Sequence, residues 1–186
     1  MIPDGTDKPG HSLKMLLQFA IKQFPGEVLF DFVLDKDSIV RTMAARRLQN
    51  EPDLAERTFA FACTLAQQKR GWQKEIAAFI LGQLCPPNYP FKDKSIPVLN
   101  SLAKDPEPAV RGAAIVGLGH LGAVESKELV LIALNDPDPG VVGCASYALW
   151  ALGKTAADVD KVRAARNRFD EKARLTIDLW EDRSQR

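Results

Sequence analysis

Cysteine is scarce in this chain of 186 residues, and the three present, Cys63, Cys85 and Cys144, lie far apart with no CxxC pair. An odd number at such spacing excludes a disulfide framework and a zinc site, and predicts buried thiols in a reducing compartment. Charge of one sign is missing too. Against 24 acidic side chains stand 25 basic ones, and the formal net charge of +1 gives no global field to draw in nucleic acid or an anionic membrane. No apolar run approaches the roughly 18 residues that span a bilayer, and the opening MIPDGTDKPGHS is polar and rich in Gly and Pro, unlike a signal peptide. Together these absences predict a cytoplasmic protein that does not meet a membrane. Histidine is limited to His11 and His120, HExxH and GxxxxGKS/T are absent, and the GxGxxG spacing of Gly117, Gly119 and Gly122 falls in and after a helix, where these glycines serve packing and termination. A nucleophile set, a metal site and a cofactor cradle are therefore not expected, and the chain is expected not to be an enzyme. Runs of alternating β-branched residues are lacking as well, which removes strands.

What is present is a repeat. Ala113, Ala114, Leu118 and Gly119 follow Val110-Arg111, and Cys144, Ala145, Leu149 and Trp150 follow Val141-Val142 at the same spacing, 31 residues on. Upstream, Ile76, Ala77, Leu81 and Gly82 follow Gln73-Lys74, and Met43, Ala44, Leu48 and Gln49 follow Val40-Arg41, at offsets of 37 and 33. A weaker fifth copy starts near Lys172, with Leu175, Leu179 and Trp180 expected on its inner face. The turns Asp35-Lys-Asp37, Asp105-Pro-Glu-Pro108 and Asp136-Pro-Asp-Pro139 open three of the copies. Aspartate caps the helix that follows, and proline in its first positions has no amide to leave unsatisfied. Partner helices are predicted over 27–34, 53–68, 95–103, 125–134 and 156–168. Residues 12–24, with Leu13, Leu16, Leu17, Ala20, Ile21 and Phe24 three and four apart, predict an amphipathic capping helix. The predicted fold is all-α, a right-handed α-solenoid of about five helical hairpins.

DPEPAVRGAAIVGLGHLG (105–122) and DPDPGVVGCASYALWALG (136–153) resemble HEAT repeats of the phycobilisome-lyase-like class; Val142 replaces the usual arginine and Trp150 the usual glycine. The resemblance covers about residues 35–182. It implies one HEAT-repeat domain over 12–186 after a flexible segment 1–11. DKDSIVRTMAARRLQ (35–49) and KEIAAFILGQL (74–84) are further similar to HEAT proteins encoded beside Rhs-type polymorphic toxins. That likeness implies an immunity protein, whose partner is a cognate toxin domain. The alternatives are a DNA-glycosylase-like protein that binds nucleic acid, and a lyase-like chaperone or scaffold.

Aligning the second helices of the copies puts Arg46, Phe79, Val116 and Tyr147 in one column. Glu75 stands one turn before it, and Gln83 and His120 one turn after. In such arrays these helices line the concave side, so the column predicts an apolar, aromatic patch with a polar rim, the composition of a protein-binding hot spot. Trp150 either joins this patch or packs under the fifth copy. The competing expectation is that the rings fill gaps between copies and that His120 is an inter-repeat polar group. Arg41, Lys74 and Arg111 recur at one position and predict a ladder with Asp37, Asp105 and Asp136, each exposed rung contributing at most about 1 kcal/mol. The arginines and lysines of 41–47 and 161–174 are expected to form solvated faces satisfied by nearby acids.

Overall fold

The computed structural model describes Leu16 and residues 19 to 184, without the side chains from position 179 onward. The described residues fold into five helical hairpins: α1 (Leu29–Phe32) with α2 (Ser38–Leu48), α3 (Ala55–Ala66) with α4 (Gly71–Leu81), α5 (Lys92–Leu102) with α6 (Pro108–His120), α7 (Lys127–Ala133) with α8 (Pro139–Ala151), and α9 (Ala156–Asn167) with α10 (Glu171–Ser184). No strand occurs among the described residues. The turn chemistry sets where the second helices begin. Asp37 accepts from the amides of Ile39 and Val40 and starts α2. Asp138 accepts from Gly140 and Val141 and starts α8, with Pro139 in its first turn.

The third copy departs from this pattern. Asp105 accepts the Glu107 amide at 3.0 Å, and the cap residue Glu107 makes no side-chain bond to its own helix. Its carboxylate lies instead against Gly71 in the first turn of α4, a helix whose own cap residue, Arg70, has no acceptor to offer. Negative charge at a helix start is favourable, so one copy supplies what its neighbour lacks.

Each second helix packs on the next: α2 on α4, α4 on α6, α6 on α8 and α8 on α10. Ala44, Ala45 and Leu48, then Ala77, Ala78 and Leu81, then Ala114 and Leu118, then Ala145, Ala148 and Leu149 are all buried at these seams. Small residues let the backbones close up. A β-carbon built on Gly82 would come within 2.4 Å of the Gly117 Cα, and one on Gly119 within 2.9 Å of the Ala148 Cα. The result is an α-solenoid whose core is one continuous cluster from Ile21 to Ile177.

Three inward placements need correction. The capping helix ends at Ile21, which is buried, while Leu16 is 67% exposed and Phe24 sits in the bend that follows, 42% exposed. Among its described residues the last turn reaches the stack, where the Ile21 carbonyl accepts from Arg47. Segment 1–11 and residues 12–15, 17 and 18 lie outside the described residues. On α10, Ile177 is buried and Leu175 is 60% exposed, so the inner face is turned from the expected one; the side chains of Leu179 and Trp180 lie outside the described residues. Of the thiols only Cys144 is buried, because Cys63 and Cys85 stand at half-buried positions where partial desolvation raises their pKa.

The ladder forms with different rungs. Lys74 meets Asp105 at 2.7 Å and Arg111 meets Asp136 at 2.7 and 2.9 Å, largely out of solvent. Asp37 is no rung, since its carboxylate is committed to the start of α2. Arg41 donates instead to the carbonyls of Asp35 and Lys36 and lies 4.6 Å over the Trp72 ring, because the turn before α4 carries no aspartate. A further rung joins Lys127 to Asp158 at 2.9 Å. Lys92 and Lys127, the first residues of α5 and α7, also reach the carbonyls of Gly122 and Gly153, one copy onward.

Asp158 also closes the capping box with Thr155 at the start of α9. The Thr155 amide and the Lys127 ammonium hold its carboxyl down to about 2. A carboxyl depressed by folding stabilises the native state above its ordinary value, and that stabilisation is lost as pH falls through the folded value. Asp158→Asn is therefore expected to lower the melting temperature at pH 7 and to flatten part of its decline between about pH 4 and pH 2. Melts of both proteins across that range check this; an unchanged acid limb refutes it.

Candidate protein-binding groove

Residues of α2, α4, α6 and α8 enclose one groove of about 860 Å³. Its shape follows from residue size. On α6 the lining residues Ala109, Gly112, Ala113 and Val116 are small and make a low floor, while Trp72 and Phe79 on α4 and Tyr147 on α8 rise beside it. Arg46, Glu75, Phe79, Gln83, Val116, His120 and Tyr147 all line this groove, so the structure brings seven of the eight expected site residues together. Phe79, Val116 and Tyr147 are half-buried, whereas Arg46 and Glu75 are exposed. The rings thus do both things expected of them, packing partly between copies and leaving an edge to solvent.

Trp150 is not part of the lining. It is 49% exposed, with its ring centroid 6.5 Å from that of Tyr147, and extends the aromatic surface past the end of the groove. It replaces glycine at a column where Gly82 and Gly119 allow backbone contact, and its ring is turned outward.

Two contacts organise the aromatic residues. His120 Nε2 and the Tyr147 hydroxyl are 3.0 Å apart, which fixes the phenol against the end of α6. His120 Nδ1 is buried without a hydrogen-bond partner, and burial pushes the imidazole pKa below its ordinary value. The ring is therefore neutral at pH 7. At the opposite end the Arg46 guanidinium lies 5.9 Å from the Phe79 ring centroid, within cation–π range. Desolvation by the groove walls raises the Glu75 pKa; Arg41 opposes the shift and Glu107 adds to it.

Arg41 and Trp72 were not among the expected site residues. Trp72 was legible as groove lining, since 72, 75, 76, 79 and 83 mark one face of a helix. The stack of Arg41 on Trp72 left no such signal, because nothing in the spacing says that an arginine will lose its aspartate.

The basic clusters are largely occupied. Arg47 pairs with Glu51, Arg163 with Asp160 and Arg166 with Asp178, while Arg168 and Arg174 donate to backbone carbonyls. A row of cations free for phosphates is not what these contacts make. Asp136 and Asp138 hold Arg111 and the start of α8. Among the described residues no group of three or more His, Cys, Asp or Glu is placed to hold a metal ion, and no helix is long and apolar enough to cross a membrane.

A family profile described as HEAT repeats matches residues 64–150 and 96–176. No curated protein matches the chain. The X-ray structure of YibA from Escherichia coli is similar over 94% of this chain and 74% of its own, with a TM-score of 0.56 at 19% sequence identity. At that identity the likeness speaks for the fold.

Proposed function

This chain belongs to the HEAT-repeat family, and from that premise we propose that it is a non-enzymatic module that binds another protein in its groove. The observation that carries this reading is the continuous surface of Phe79, Val116 and Tyr147, prolonged by Trp150 and rimmed by Arg46, Glu75 and Gln83. Aromatic anchors bordered by polar groups are where binding energy concentrates in protein interfaces. A small-residue floor between aromatic walls adds a depression into which a partner side chain can insert.

The partner we propose is the toxin domain of a Rhs-type polymorphic effector, which this chain holds inactive in the cytoplasm as its immunity protein. The resemblance of segments 35–49 and 74–84 to proteins encoded beside such toxins supports this role. The reading expects a toxin domain encoded next to this chain's gene; its absence there would count against the role, and binding of such a domain, with survival of cells that make both, tests it. Phe79→Ala and Tyr147→Ala are each expected to weaken the complex by about 2 kcal/mol, close to thirtyfold, as buried aromatic anchors do. Both rings are half-buried, so some stability is lost as well, and melting curves on the same samples separate the two effects. Full affinity in both variants with normal folding would move the partner to the loops or the array ends. Absence of any complex, and death of the cells, would refute the immunity role.

A further inference from the structure

The chemistry of the groove restricts what can lie in it; this inference rests on the protein-binding reading above. The floor is carbon: Gly112, Ala113 and Val116 lie inside α6, where amides and carbonyls are already paired within the helix. A strand or loop laid on that floor would bury its own amides and carbonyls against carbon, since the polar side chains Thr42, Glu75 and Gln83 come from α2 and the α4 side and not from the floor. A helix satisfies its backbone internally and presents side chains only. The occupant that fits is helical.

Charge then orients it. Arg41 is committed to the Asp35 and Lys36 carbonyls and stands near Glu75, and the Asp138 carboxylate is held by the first amides of α8. Arg46 is exposed and makes no ion pair among the described residues; its guanidinium is held beside the Phe79 ring. Arg46 thus offers a partner a cation at the α2 end, while the Glu75 carboxylate on α4, which also makes no ion pair among the described residues, stands between it and the α8 end. The α8 end presents the Tyr147 and Trp150 rings and the imidazole of His120.

We propose that the groove takes an amphipathic helix of the partner protein, laid across α2, α4, α6 and α8, with a carboxylate over Arg46 and an apolar stripe over Phe79, Val116 and Tyr147. Three helix-to-helix steps of about 8–10 Å set a span of roughly 24–30 Å. At about 1.5 Å per residue the seated helix has roughly 16–20 residues. Its contacts follow the i, i+3, i+4, i+7 pattern of helix-in-groove recognition.

The test uses the full chain and the toxin domain that the immunity reading expects beside its gene. Arg46→Glu is expected to weaken the complex at least tenfold, less so at high salt, with an unchanged melting temperature. Ala113→Phe raises the floor beneath the seated helix and is expected to weaken binding by a similar factor. Should that variant fail to fold, Arg46→Glu and an amide-exchange map of the complex still decide. The map is expected to show slowed exchange over one continuous helix of the toxin domain, about 16–20 residues long, with a carboxylate at one end. Wild-type affinity in Arg46→Glu, or protection of a strand or loop of the toxin domain, overturns the proposal while leaving the immunity role intact. Failure of the unmodified chain to form any complex overturns both.

Discussion

Replacing Gly82 by alanine is expected to destabilise the fold by about 3 kcal/mol and to lower the melting temperature by roughly 6–12 °C for a chain of this size. In an isolated helix the same change would be favourable by about 1 kcal/mol. Gly82 closes α4 with an ordinary helical φ of −72°, so its backbone does not require glycine. What requires it is α6. The added β-carbon would stand 2.4 Å from the Gly117 Cα, and that neighbour is backbone, which cannot rotate away. The two helices must part, and α6 is itself fixed between α4 and α8. Gly71→Ala is the matching control. There the nearest atoms to the β-carbon are those of the Glu107 carboxylate, the far end of a flexible side chain, so a much smaller loss is expected. Equal melting temperatures for the two variants would show that helix separation is not the cost.

Arg111→Met is expected to cost about 2 kcal/mol, between the 1 kcal/mol or less of an exposed pair and the 3–5 kcal/mol of a fully buried one. Arg111 makes two bonds to Asp136 and two more to the carbonyls of Asp105 and Pro106, all between 2.7 and 2.9 Å. Methionine keeps most of the volume and removes every donor, leaving a largely buried carboxylate without its cation. Burial alone would raise the Asp136 pKa, but the hydrogen bonds from Arg111 and the Asp138 amide outweigh it and hold it below the ordinary carboxylate range. That stabilisation is present above the ordinary value and disappears as pH falls through the folded one. The gap between wild type and Arg111→Met should therefore be widest near neutral pH and narrow as pH falls below about 4. Denaturant midpoints at several pH values measure it, and a gap independent of pH would mean that the loss is one of packing.

The sequence made the frame readable because its punctuation has local causes. Asp37 and Asp138 hold amides two and three residues away, and Pro108 and Pro139 are favoured in first-turn positions, where no amide is left unsatisfied, so these helix starts were signalled within the turn. The column from Arg46 to Tyr147 was legible because stacked copies place equivalent residues side by side. What escaped depends on which neighbour a long side chain selects. Lys127 lies on a first helix, outside the column of Arg41, Lys74 and Arg111, yet it supplies the rung to Asp158. Glu107 belongs to one copy and serves the helix start of another. The exposed Leu175 looked like an inner residue because the fifth copy matches the repeat only weakly, and its spacing did not fix the rotation of α10.

The stack of Arg41 on Trp72, in place of an ion pair, bears on how the array breathes. Lys74–Asp105, Arg111–Asp136 and Lys127–Asp158 tie copies two to three, three to four and four to five. Between copies one and two the described ion pair is the exposed Arg57–Glu27, and α2 touches α4 less extensively than α6 touches α8. In an array where each unit leans only on its neighbours, opening starts at the weakest seam. That seam carries Arg46. The cationic end of the groove therefore rides on the hairpin that no buried ion pair among the described residues ties to its neighbour, and a partner gripping Arg46 would fasten that seam from outside.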